Sequence, residues 1–109
     1  RRFLSKTIDH IYLLLDKQKL DVSTLADKLC MSPRQFHRKI VALTGSSPSS
    51  FMLKIKMKRA RHLLETDTKM SIDEIASRCG FEHTSSFYHA FRKAYGVTPK
   101  DVRREMGAG

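Results

Sequence analysis

Three observations predict an all-α fold of about seven helices, arranged as two helix-turn-helix subdomains joined by a long central helix. Apolar residues recur with helical period along almost the whole 109-residue chain. No run of alternating β-branched residues marks a half-buried strand. The second half also repeats the pattern of the first after a shift of about 50 residues. The length suits one domain, 1–109, built from two small parts.

The first helix is expected from about Phe3 to Lys17, with Phe3, Ile8, Ile11, Tyr12 and Leu15 as its apolar stripe. Asp21 offers an N-cap for a short helix through Leu25, Ala26 and Leu29. Ser32 followed by Pro33 starts another helix, since proline suits the first helical position; it should run to about Leu43 and stop at Gly45. These two helices form the first helix-turn-helix, about 21–45. Ser46 to Ser50, with Pro48, reads as a loop before a linker helix of about 49–66 that begins near Ser49 or Phe51. Ser71-Ile72-Asp73-Glu74 reads as a capping box opening a short helix that ends at Gly80. A helix from about Thr84 to Ala94 or Tyr95, stopped at Gly96, completes the second helix-turn-helix, about 71–96. A last short helix is expected from about Lys100 to Met106, with Gly107 to Gly109 frayed.

The repeat reaches beyond helical spacing. Val22, Leu25 and Ala26 fall on Ile72, Ile75 and Ala76; with one residue inserted in the turn, Phe36 and Ile40 fall on Phe87 and Phe91, and Gly45 and Pro48 on Gly96 and Pro99. Two unrelated amphipathic helix pairs would share the apolar spacing but less often the small alanine and the terminal Gly and Pro. An internal duplication explains all of them.

Charge then indicates the partner. Twenty-one Lys and Arg against eleven Asp and Glu leave +10, with a pI near 10.0. Such a surplus on a small body draws polyanions, and nucleic acid is the commonest of these. In a helix-turn-helix the first helix braces and the second enters the major groove. Ala26 and Ala76 permit close helix approach, while Phe36 and Phe87 pin the second helix inward. The exposed face of the first reading helix is then Arg34, His37 and Arg38, flanked by Gln35 and Lys39. Arg34 and Arg38 lie four apart and share a face, and arginine matches the O6/N7 edge of guanine with two hydrogen bonds. The second reading face is Thr84, Ser85, Tyr88 and His89, which offers hydroxyls and an imidazole. Base contact is expected from these seven residues, and phosphate contact from Gln35, Lys39, Lys56, Arg92 and Lys93.

The linker helix carries Lys54, Lys56, Lys58, Arg59 and Arg61; its apolar positions Met52, Ile55, Met57, Ala60, Leu63 and Leu64 are expected to pack on both subdomains. The charge run fits a solvated face as well as phosphate contact. Its length of roughly 25 Å, at 1.5 Å per residue, suits two reading helices set about 34 Å apart, one turn of B-DNA.

Cys30 and Cys79 have no partner at metal-ligand spacing and read as two buried reduced thiols. No cofactor is expected, and no paired-carboxylate, Cys-His or Ser-His-Asp set suggests an enzyme. The apolar runs are too short to cross a bilayer, so no membrane contact is expected of this stretch. A chain that opens on Arg1 in a helical stretch reads as a piece of a longer protein.

From Ile72 to Arg103 the chain resembles the signature region of the AraC/XylS transcriptional regulators: Ile75-Ala76, Gly80-Phe81, Phe87, Phe91-Arg92-Lys93, Gly96-Val97-Thr98-Pro99 and Arg103. Leu25-Ala26, Met31-Ser32, Phe36, Arg38-Lys39 and Leu43-Thr44-Gly45-Ser46-Ser47-Pro48 agree in the first half, so the resemblance covers roughly Val22 to Arg104. The phrasing is most similar to the output domains of hybrid two-component regulators, in which a membrane sensor, a histidine kinase and a receiver precede this domain. The resemblance implies a monomeric, cytoplasmic, bacterial seven-helix domain that binds double-stranded promoter DNA and regulates transcription. It assigns base reading to Arg34, His37 and Arg38, and to Thr84, Ser85, Tyr88 and His89. Contact with RNA polymerase is a property of some members. His83 departs from the Asp or Ser that often caps its helix, and His89 from a frequent Arg or Lys. A basic module docking an acidic protein or a receiver domain is the alternative of a different class.

Overall fold

The computed structural model describes residues 2–108. Among them all regular structure is helical: α1 (Arg2–Asp16), α2 (Val22–Lys28), α3 (Pro33–Thr44), α4 (Pro48–Thr66), α5 (Ile72–Arg78), α6 (Thr84–Tyr95) and α7 (Pro99–Ala108). The chain divides into two compact units, Arg1–Ile55 and Lys56–Gly109. Each has its own core, as the duplication requires.

The first core gathers Ile11 and Leu14 of α1, Leu25 and Ala26 of α2, Phe36 and Ile40 of α3, and Met52 and Ile55 of α4. The second gathers Met57, Ala60 and Leu64 of α4, Met70, Ile75, Ala76 and Cys79, Phe87 and Phe91 of α6, and Val102 of α7. The matched pairs Leu25/Ile75, Ala26/Ala76, Phe36/Phe87 and Ile40/Phe91 are all buried. Burial of these side chains supplies most of the drive to fold, at about 1.5–3 kcal/mol for each large one. Thr7 is the one buried polar residue in the apolar stripe of α1; its hydroxyl is satisfied by donating to the Phe3 carbonyl at 2.7 Å.

The helix starts follow local chemistry. Asp21 caps α2, accepting from the Thr24 N–H at 2.7 Å, and that bond holds its carboxyl below the usual carboxylate range. At α3 the capping box is complete: Ser32 Oγ accepts from Gln35 N–H, and Gln35 Oε1 accepts from Ser32 N–H. At α5 Ser71 accepts from Glu74 N–H. Pro48, expected in a loop, instead sits in the first turn of α4, and Ser47 Oγ accepts from Ser50 N–H at 3.2 Å. Thr98-Pro99 opens α7 one residue early by the same device, Thr98 and Asp101 exchanging bonds of 3.0 and 3.1 Å. Three of the seven helices thus begin with a hydroxyl residue followed by proline, which leaves proline's missing N–H unmissed. Helix α7 extends through Ala108, further than the expected fraying at Gly107; Gly109 lies outside the described residues.

The turns inside the two units are superposable in their bonding. Met31 N–H reaches Ala26 O and Cys30 N–H reaches Asp27 O; Phe81 N–H reaches Ala76 O and Gly80 N–H reaches Ser77 O, all at 3.0 Å. Each is a Schellman close, which needs a left-handed residue after the helix. Gly80 supplies it at φ +85°, but Cys30 occupies the equivalent place at φ +58°. This corrects the expectation of two buried thiols: Cys79 is buried and Cys30 exposed, because a turn position faces solvent. A left-handed non-glycine costs about 1–2 kcal/mol, partly offset by the larger chain entropy glycine loses. Cys30→Gly is therefore expected to stabilise the domain by about 0.5–1 kcal/mol, read as a higher urea midpoint. An unchanged or lower midpoint contradicts the strain.

Candidate nucleic-acid interface

In the first unit, Phe36 and Ile40 fix one side of α3 in the core, and Arg34, His37 and Arg38 are exposed on the other. At 100° per residue, Arg34 and Arg38 are 40° apart around the helix and His37 lies next to them. The helix is set firmly, with a full capping box at its start and Gly45 at φ +74° closing its end. Phe3 of α1 stacks against Phe36 with ring centroids 6.3 Å apart.

The two flanking residues face elsewhere. Gln35 Oε1 accepts from the Ser32 N–H as part of the cap. Lys39 holds its ammonium 4.4 Å from the centre of the Phe3 ring, a cation–π contact that turns it toward α1.

In the second unit, Phe87 and Phe91 hold α6, and the four expected residues divide in two. Ser85 and His89 are exposed, at the places of Arg34 and Arg38 in the repeat. Thr84 and Tyr88 are half-buried. The Thr84 hydroxyl donates to Asp73 Oδ1 at 2.9 Å, and Tyr88 packs edge-on against Phe87 at 6.5 Å. Burial pushes the Tyr88 phenol up from its ordinary pKa, and the charge of Asp73 adds to this, so the hydroxyl remains a donor at neutral pH. His83 makes no side-chain cap bond, in keeping with its departure from Asp or Ser.

Arg92 and Lys93 are exposed in the last turn of α6, where they also favour the negative end of the helix dipole. Lys56 lies 5.9 Å from the Phe81 ring centre, beside the buried Cys79, whose Sγ lies 3.8 Å from the Lys56 carbonyl. Burial pushes the Cys79 thiol up to about 11, an inert group. Arg61 pairs with Glu65 at 3.2 Å and stacks 4.8 Å over Tyr95, so it belongs to the fold.

Two residues gain roles that sequence alone did not provide. Arg103 donates through Nε to Leu64 O at 2.9 Å and through Nη2 to Asp67 O at 2.8 Å, satisfying carbonyls at the end of α4. Asp73 stands out only as a middle position of a capping box, yet it reaches Thr84 eleven residues on. Both contacts join separate elements, so no periodicity within a helix could signal them.

Comparison with known proteins agrees with this geometry. The helix-turn-helix domain family matches residues 25–105. The HTH-type transcriptional regulator GbdR of Pseudomonas aeruginosa is 38% identical over 93 residues, covering 85% of this chain and 25% of that protein. The chain spans between a quarter and a third of the length of the curated relatives it matches. Among solved structures, the DNA-binding domain of AdpA in complex with a target DNA is 34% identical with a TM-score of 0.76, covering 93% of both chains. The C-terminal domain of AraT, a response regulator from Geobacillus stearothermophilus, is 33% identical with a TM-score of 0.79, covering 93% of this chain and 83% of that one. With two matched helix-turn-helix units and these relatives, the chain belongs to the helix-turn-helix domain family and is an AraC-type DNA-binding domain of the bacterial transcription regulators.

Proposed function

We propose that this domain reads double-stranded promoter DNA through both units, α3 and α6 each entering a major groove, with the first unit carrying most of the discrimination. The single observation behind this is the exposed Arg34–Arg38 pair on a helix whose opposite side is locked in the core. His37 joins that pair, and Thr84, Ser85, Tyr88 and His89 read the second groove. The units correspond to 21–45 and 71–96, with 49–66 between them. Lys56, Arg92 and Lys93 serve phosphates, and Gln35 and Lys39 do so more weakly, given their engagement in the cap and over the Phe3 ring. The domain acts as a monomer in the cytoplasm, as the output end of a hybrid two-component regulator. The likeness to a response-regulator C-terminal domain supports that placement.

Arg38→Ala tests this. It should cost about 1–3 kcal/mol at one base pair and relax preference there, whereas Lys56→Ala should weaken all sequences alike. Fluorescence anisotropy on duplexes varied one pair at a time separates the two. Uniform weakening by Arg38→Ala contradicts its assignment.

A second reading, docking of an acidic surface on RNA polymerase or a receiver domain, is favoured by a pocket of about 510 Å³ in the first unit. Arg2, Lys6, His10, Lys28 and Lys39 line it. Docking there would draw on Lys39, which the DNA reading also uses for weak phosphate contact.

A further inference from the structure

The second unit contains a polar pair with no counterpart in the first. Asp73, in the first turn of α5, accepts the hydroxyl proton of Thr84, the first residue of α6, at 2.9 Å. By the repeat, the corresponding residues of the first unit are Ser23 and Pro33, and proline has no side-chain donor. The direction of the bond follows from the chemistry. A carboxylate only accepts, so the Thr84 hydroxyl must donate, and its remaining lone pairs are all it can offer to anything else.

Resting on the proposed reading of DNA by α6, we infer that Asp73 is a positioning residue that sets the polarity of Thr84 and thereby the base class Thr84 selects. An unattached hydroxyl rotates to donate or accept and discriminates poorly. Thr84 with its proton held by Asp73 presents an acceptor only. In the major groove, adenine offers the N6 amino group and cytosine the N4 amino group as donors, while guanine N7 and O6 and thymine O4 are acceptors. Thr84 therefore favours adenine or cytosine at the position it meets and leaves guanine or thymine with two acceptors face to face. Thr84 is half-buried and Asp73 exposed, so the bond lies at the surface, at the start of α6. Asp73 itself need not touch DNA.

The competing role is purely structural. His83 makes no cap bond, so the Asp73–Thr84 bond also ties down the start of α6. Loss of that function would lower affinity for every duplex equally and leave base ratios unchanged. The two roles separate in a panel of duplexes carrying each base in turn across the second half of the bound site, titrated with the whole 109-residue chain and its variants. The wild type should prefer adenine or cytosine over guanine or thymine by about 2- to 10-fold at one position, the range of a single neutral hydrogen bond. Thr84→Val and Asp73→Ala should each bring that ratio close to one, and the double variant should go no further. The inference is overturned if Asp73→Ala keeps the ratio, or lowers all affinities equally. If Thr84→Val and Asp73→Ala move no position while Ser85→Ala or His89→Ala does, the role of Asp73 falls and base reading by α6 stands. If no substitution in α6 moves any position, base reading by the second unit falls as well.

Discussion

Phe87→Ala is expected to destabilise the domain by about 3–5 kcal/mol, the largest single-residue effect the fold predicts. Phe87 is fully buried, and its ring is met by Phe81 at 5.5 Å, Phe91 at 5.8 Å and Tyr88 at 6.5 Å. Truncation forfeits the transfer energy of the ring, leaves a cavity between α5 and α6, and removes aromatic pairs worth about 0.5–1.5 kcal/mol each. The whole stability of a small domain is about 5–15 kcal/mol, so this loss removes a large share of it. Urea titration followed by circular dichroism measures it. Phe36→Ala should cost a similar amount, since Phe36 is equally buried and meets the Phe3 ring. A loss under about 1 kcal/mol for Phe87→Ala would mean that the core can collapse around the gap and that the pinning role is wrong.

The second large effect is on binding. If the +10 chain neutralises about six phosphates, affinity for its site should fall on the order of 10³-fold between 50 and 200 mM salt. Arg34, Arg38, Arg92, Lys93 and Lys56 are all exposed or half-exposed and able to release counterions this way. The Arg61–Glu65 pair should contribute little, because its charge is already met. Titrations at four salt concentrations yield the slope directly. A slope corresponding to one or two phosphates would shift the weight to the protein-docking reading, in which a few local ion pairs replace a run along the DNA backbone.

Much of this was legible in the residues. The buried faces of α2, α3, α5 and α6 follow from apolar spacing alone, because a helix fixes which side chains share a face. The exposed pair Arg34 and Arg38 follows from the same rule once Phe36 is placed inward. Ser32-Pro33 announced the start of α3, and the same chemistry at Ser47-Pro48 and Thr98-Pro99 moved two helix starts earlier than the apolar pattern suggested, since a first turn buries little and leaves no periodic trace. Cys30 was misplaced for a related reason. Composition favours a buried thiol, but the Schellman turn of α2 puts that residue in solvent. The long-range contacts were illegible: Arg103 with the carbonyls of Leu64 and Asp67, and Asp73 with Thr84, depend on which elements meet, not on any spacing within them.

The central claim is that both units read sequence and that the first reads more strongly. In vitro selection of bound duplexes from a random pool tests it most directly. The wild type should yield two informative segments, the stronger with a guanine that loses its information in the Arg34→Ala, Arg38→Ala double variant while the weaker segment persists. A site unchanged by that double variant, or one with no sequence preference at all, would contradict the account.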